Sequence, residues 1–350
     1  VDRLNRRWLM VVCDGARAVL CLGFFLVQGS EMVWLAYVLL ALISSFTAAF
    51  DPATEASLPN LVGPRDLVTA NALAGSLWGT MLAVGAALGG IVAAVLGRDA
   101  AFLIDAASFA LSGALIARIR RSFSEEREEE GQHPGIVAAS VETARYARKD
   151  HGVLALLSVK AGFGLGAGVL VLISVFAQDV FHREEIGIGI LMSARGVGAL
   201  IGPFAGRRFL GPNDRRLFSA IATALVVFGI GYAALGLTPS LALASVAVGV
   251  AHLGGGAQWT LSSYGLQRAV PDRIRGRIFA FDGALITLTL TISSIVTGWS
   301  ANRFGPRPTA IGLGAVAVAY AALWTWFTTD VRRTALWGQP DALGADPGAD

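Results

Sequence analysis

The sequence predicts an all-α polytopic membrane protein with about ten spans. Three observations carry this expectation. Hydrophobic residues make up 54% of the 350-residue chain and charged ones only 15%, with mean hydropathy +0.61, so most of the chain has to face something other than water. The apolar residues come in runs of about 18 to 25, the length needed to cross roughly 30 Å of hydrocarbon as a helix. Short charged clusters separate the runs. The period-two alternation over about ten residues that a membrane β-barrel requires is not seen.

Taken in order, the apolar runs place spans at 9–28, 32–50, 72–97, 100–117, 153–177, 187–206, 217–236, 241–265, 278–301 and 309–327. The connecting segments alternate in charge. One set holds 21 cations, running from Arg3, Arg6 and Arg7 through Arg65, the cluster between Arg118 and Lys149, Arg207 to Arg216 and Arg268 to Arg277, to Arg332 and Arg333. The other set holds only Arg98, Arg183, Arg303 and Arg307, so the positive-inside rule predicts that both termini are cytoplasmic. The same rule explains the arginines without a nucleic-acid partner: they stop translocation and meet anionic headgroups of the lipid bilayer.

Residues 118–150 form the one long polar segment, containing SEEREEEGQHPG and then the helix-like VETARYARK. So few apolar side chains cannot build a core, and a cytoplasmic linker with a short interfacial helix is expected. It divides an N-terminal bundle, 1–117, from a six-helix bundle, 151–333. The Gly-, Pro- and Asp-rich 334–350 reads as a disordered tail.

An internal repeat supports the division. EASLPNLVGPRDLVTANAL and later GAALGGIVAAVLG match QRAVPDRIRGRIFAFDGAL and later SSIVTGWSANRFG, with Pro59 aligned to Pro271. If the halves are equivalent, the first lacks two helices at its N-terminus, and Val1 fits either an alternative start codon or a fragment.

Cys13 and Cys21, both within one apolar run, leave no disulfide framework or multi-cysteine metal site. Gly312-Leu-Gly314-Ala-Val-Ala317 mimics a dinucleotide fingerprint but lies inside an apolar run with no preceding strand. No P-loop, HExxH or GxSxG is present, so no enzyme activity, ATP use or cofactor is expected. Charges inside the runs are the sharper clue, because each costs about 2.5–3.5 kcal/mol at a helix centre on insertion scales. Lys160 and Arg195 lie well inside their spans, Asp14 and Arg17 fall on one helix face as a local pair, and Asp105 and Asp282 sit one or two turns inside span ends.

The opening DRLNRRWLM resembles the cytoplasmic motif GxLxDRxGRRxxL of the major facilitator superfamily, with Asp2, Arg3, Arg6, Arg7 and Leu9 matching and Asn5 in place of Gly. PATEASLPNLV, LVTANAL and FLIDAASFALS are similar to the branch of drug and siderophore exporters related to the enterobactin exporter and macrolide efflux proteins. The resemblance implies two pseudo-symmetric bundles, about ten of twelve helices present, and a charge latch at Asp2, Arg3, Arg6 and Arg7 that must break during switching. A plain positive-inside anchor is the alternative for those residues. The exporter-associated GxxxGPxxGG of the fifth family helix is matched loosely by Gly85, Gly89 and Gly90, with Ala86 for Pro and Met81 for the first Gly. Gly198, Gly202, Pro203 and Gly206 match it more fully in the second half, where close helix packing alone explains small residues at this spacing.

Family architecture further implies that Asp51, Glu55, Lys160, His252, Gln258, Trp259 and Tyr264 lie on cavity-lining segments. For His252 a satisfied core position is the alternative reading, and for Trp259 and Tyr264 an interfacial belt. The implied function is proton-coupled efflux of a small amphipathic molecule, drug, macrolide-like or siderophore, by a monomeric antiporter of the bacterial inner membrane. Asp14, Arg17, Asp51, Glu55, Asp105, Lys160, Arg195 and Asp282 are the candidate coupling charges. Two alternatives stand beside it: a non-transporting fragment or membrane partner, and an importer of the same fold.

Overall fold

The computed structural model describes residues 5–85, 88, 92, 95–124, 136–210 and 216–333. Among them every regular element is helical. The helices are α1 (Arg6–Gly23), α2 (Val33–Leu61), α3 (Leu67–Thr80), α4 (Arg98–Arg118), α5 (Ile136–Lys149), α6 (His151–Gly166), α7 (Val169–Val175), α8 (Glu184–Leu210), α9 (Leu217–Leu237), α10 (Leu241–Ala269), α11 (Asp272–Phe304), α12 (Pro306–Phe327) and α13 (Thr329–Arg333). Nine segments among the described residues are long and apolar enough to cross a membrane. The expected span at 72–97 begins in α3, continues through a π-turn at Met81–Gly85, and then runs onto residues that are described only in part. The segment 125–135 and the tail from 334 lie outside the described residues.

Large apolar side chains face outward, among them Val19 (69% exposed), Leu237 (71%) and Trp326 (76%). In water such a surface would aggregate; against lipid tails it is what a spanning helix needs, because each helix satisfies its own backbone.

The chain divides into two compact units. The first comprises Val1–Pro64, Gly85–Ala144 and Val270–Gly283. In it α1 packs against α2 and α4, and Gly113 lets α4 approach so closely that a Cβ there would lie 3.2 Å from Asp14 Cβ. Its core gathers Met10, Ala53 and Phe123, with Phe50, Leu61 and Ile116 against them.

The second unit comprises Arg65–Val84, Arg145–Ala269 and Ala284–Asp350. Here α8 packs on α10 and α3, while α9 packs on α10 and α12. Small residues set these distances. A Cβ at Gly198 or Gly202 would collide with the α10 backbone at Gly249 or Leu253, and one at Gly79 of α3 with the α8 backbone at Leu200. Without a hydrophobic drive between helices in lipid, such backbone approach is what dispersion forces can use. Phe176, Leu191, Phe228, Tyr232, Leu235 and Val248 fill the unit's core.

One span of this unit is broken. The segment His151–Val180 is long enough to cross, yet α6 stops at Gly166 and α7 starts only at Val169. Ser293 of α11 meets both freed backbone groups: its Oγ donates to Leu165 O at 2.6 Å and accepts from Gly168 N at 3.1 Å. A gap in a spanning helix is tolerated where neighbouring side chains, water or tightened local turns supply such partners.

The internal repeat is visible in the backbone. Gly97 (φ 87°, ψ 164°) and Gly305 (φ 90°, ψ 162°) close the two repeat segments, immediately before α4 and α12. Both hold the same conformation, one that is essentially restricted to glycine.

Candidate functional site

Charged side chains buried inside spans or at their ends form three groups. The first lies in the first unit, at the start of α1. Asn5 caps this helix by accepting from Trp8 N at 3.3 Å, which sets Arg6 at its first position, fully buried. Arg6 Nη1 donates to Asp272 Oδ1 at 2.6 Å, Ala56 O at 3.1 Å and Phe123 O at 3.3 Å, and Nη2 donates to Asp272 O at 2.8 Å.

Asp272 is the first residue of α11, where a negative charge also suits the helix dipole. Its Oδ1 accepts from Asn60 Nδ2 at 2.8 Å and from Arg275 Nη1 at 3.0 Å as well. Only an ionised carboxylate accepts in this way from two guanidinium groups. Arg7 Nη2 donates to Ala117 O, tying α1 to the end of α4. Asp2 and Arg3 lie outside the described residues.

Sequence reasoning missed Asn60, Asp272 and Arg275. The signal was present: the alignment that pairs Pro59 with Pro271 also pairs Asn60 with Asp272, and these two residues touch.

Further along α1, Arg17 and Asp14 form a buried ion pair. The guanidinium carbon of Arg17 stands 4.2 Å from the ring centre of Phe50 and 4.7 Å from that of Phe109. Cys21 Sγ donates to Asp105 Oδ2 at 3.3 Å. Asp51 is exposed and Glu55 half-buried, one turn apart on α2, and Asp282 is buried in α11.

The remaining group runs along one stripe of α10 in the second unit, because residues 252, 259 and 263 repeat at near-whole turns. Lys160 of α6, buried, donates from Nζ to Ser263 Oγ at 3.0 Å and stands 4.6 Å from the centre of the Trp259 ring. Phe163 meets Trp259 edge-on at 5.7 Å and Phe228 at 4.9 Å. Arg195 of α8 donates from Nε to His252 Nε2 at 2.9 Å, and Tyr232 Oη lies 3.0 Å from His252 Nδ1. His252 thus sits in a hydrogen-bonded cluster together with Arg195.

Gln258 is fully buried, with neither side-chain heteroatom hydrogen-bonded among the described residues. Tyr264 is buried and its hydroxyl accepts from Arg268 Nη1 at 3.2 Å. Of the glycines singled out, Gly198, Gly202 and Gly206 abut α10, next to Pro203; Gly85 has open space around it, and Gly89 and Gly90 lie outside the described residues.

Spanning helices with lipid-facing apolar sides, a broken helix and buried charges define a multi-pass α-helical membrane protein. The sequence model of the Major Facilitator Superfamily matches residues 1–281, and the chain belongs to that family. It is a membrane transporter and not an enzyme. Over 316 residues it is 24% identical to macrolide efflux protein A of Streptococcus pyogenes, covering 87% of this chain and 76% of that one. The multidrug efflux pump Tap of Mycolicibacterium fortuitum is 24% identical over 323 residues, covering 89% and 78%. Among solved structures, the human organic anion transporter MFSD10 (TETRAN) superposes with TM-score 0.76 at 17% identity, over 92% of this chain and 77% of that one, which speaks for the fold alone.

Proposed function

We propose that the protein is a secondary active exporter that moves a small amphipathic molecule out of the bacterial cytoplasm by alternating access, with proton entry as the driving force. The observation that carries this reading is the stripe on α10, where a buried cation, Lys160, stands against aromatic rings inside a membrane span. An amphipathic substrate needs such a combination: ring faces for its apolar part and a few buried polar groups for its head. Similarity to two efflux pumps supports the outward direction.

The residues on both sides of the linker act as two bundles in a monomer, with both termini cytoplasmic. Arg6 and Asp272, which come from the two halves of the sequence, serve as the latch that opens as the bundles rock. Asp51, Glu55 and Asp282 carry the coupling proton by alternating between protonated and paired states.

The test is transport by purified protein in liposomes under an imposed pH gradient, using a macrolide and a cationic dye as substrates. Accumulation that collapses when the gradient is dissipated, and that is uncoupled in Asp51→Asn, Glu55→Gln or Asp282→Asn, is expected. Gradient-independent movement would refute proton drive, and coupling intact in all three variants would refute the role of these acids in it.

A further inference from the structure

Three cations lie inside the spans predicted from the sequence, and the fold accommodates each in its own way. Arg17 has its counter-charge beside it in Asp14. Lys160 donates to Ser263 and rests on Trp259. Arg195, in the middle of α8 and only 8% exposed, has no carboxylate partner among the described residues. Its one hydrogen bond among the described residues runs from Nε to His252 Nε2.

That bond does not neutralise it. His252 Nε2 must present a lone pair to accept from a guanidinium, so the ring proton sits on Nδ1, where Tyr232 Oη at 3.0 Å and Val248 O at 3.3 Å can receive it. The imidazole is therefore neutral and acts as a bracket. It fixes the guanidinium through Nε and leaves both terminal nitrogens, the fork that pairs with a planar oxyanion, without a hydrogen-bond partner among the described residues.

The surroundings are aromatic. The guanidinium carbon stands 5.6 Å from the ring centre of Trp78, and Tyr232 and Phe228 pack on His252 with ring centres 5.7 and 6.3 Å away. An arginine at mid-span without a counter-ion is unfavourable, and ion pairing or hydrogen bonding to a ligand relieves that. Here it is held rigid, its inner nitrogen is occupied and its outer ones are presented beside a tryptophan face.

We infer that Arg195, bracketed by His252 and Tyr232, binds the carboxylate of an amphipathic organic acid, so that the exported molecules include aromatic carboxylic acids. This rests on reading the chain as an exporter of small amphipathic molecules and names a substrate class for it. The carboxylate takes the two terminal nitrogens, and the ring lies against Trp78.

The experiment measures equilibrium binding to the purified chain in lipid nanodiscs, without a gradient, so that a failure of proton drive or of export direction leaves its outcome readable. The probes are 2-naphthoate and its neutral isostere 2-naphthamide, followed by tryptophan fluorescence at fixed ionic strength. Naphthoate is expected to bind at least tenfold more tightly than naphthamide. In Arg195→Gln the two should bind within twofold of each other, with naphthamide affinity unchanged. Arg195→Lys, which keeps the charge at the site and guards against misfolding of the glutamine variant, should retain a preference for naphthoate while binding it several-fold more weakly than wild type. Equal binding of the two probes by the wild type, a tenfold preference surviving Arg195→Gln, or wild-type naphthoate affinity in Arg195→Lys would each overturn the assignment.

Discussion

Replacing Asp272 by Asn tests the ion pair at the start of α1 most directly. The substitution keeps the shape and one acceptor oxygen but removes the charge and turns an amide NH₂ toward donors. Asp272 Oδ1 receives hydrogen bonds from Arg6, Asn60 and Arg275 at 2.6, 2.8 and 3.0 Å, and Arg6 is fully buried, so the variant leaves two guanidinium groups around a neutral oxygen. Removing one partner of a buried ion pair destabilises by about 3–5 kcal/mol. At tenfold per 1.4 kcal/mol, that range multiplies the population in which α1 is released by roughly 100- to 4,000-fold. The retained acceptor and the other bonds of Arg6 place the expectation near the lower end, about 100-fold.

Cys13 reports this opening, since it lies two turns from Arg6 on the same face of α1 and is 2% exposed. In a Cys21→Ser background, the rate of N-ethylmaleimide addition to Cys13 in membranes should rise by about that factor in Asp272→Asn, because labelling follows the open population when closing is fast. A rate within threefold of the parent, in protein that elutes as a single species, would refute the reasoning. It would mean that the α1 contacts with α2 and α4 hold the helix without the ion pair.

Other perturbations have equally definite outcomes. Ser293→Ala strands Leu165 O and Gly168 N in the broken span, each worth about 1–3 kcal/mol when left unpaired, and should lower the detergent melting temperature by several degrees, whereas Ser293→Thr should lower it less. Gly79→Ala places a Cβ 2.7 Å from Ala199 C and 2.9 Å from Leu200 Cα, backbone atoms that cannot swing aside, so a loss of about 1–3 kcal/mol is expected in chemical denaturation. Asp14→Asn alone should destabilise more than the double variant Asp14→Asn/Arg17→Met, since the single change leaves a buried guanidinium against Phe50 and Phe109 without its counter-charge; equal melting temperatures would deny the pair that role.

Much of this architecture follows from the chain itself. Runs of apolar residues at bilayer length specify spanning helices, because in lipid the backbone has no other way to satisfy its own donors and acceptors within one segment. The repeat is equally local: Gly97 and Gly305 close matching segments, and they take the same positive-φ conformation because the residues around them make the same turn into a helix. The adjacency of Asp14 and Arg17 is set by helical spacing alone.

What pairs across sequence distance was decided only by tertiary structure. Arg6 could be recognised as a motif residue, but nothing in its neighbourhood names Asp272, which is 266 positions away and reaches it only because α11 starts beside α1. The break in the span between α6 and α7 is another such case. Four alternate glycines, Gly162 to Gly168, allow many conformations, and it is Ser293 on a distant helix that selects one by bonding both loose backbone groups. The same holds for Arg195. Sequence shows a cation in an apolar run and predicts that it must have a partner or water, but whether that partner is an acid, as for Arg17, or a neutral imidazole that leaves the charge available depends on how α8 and α10 pack. That packing is set by Gly198 and Gly202 against the backbone at Gly249 and Leu253, a close fit whose register no local pattern encodes.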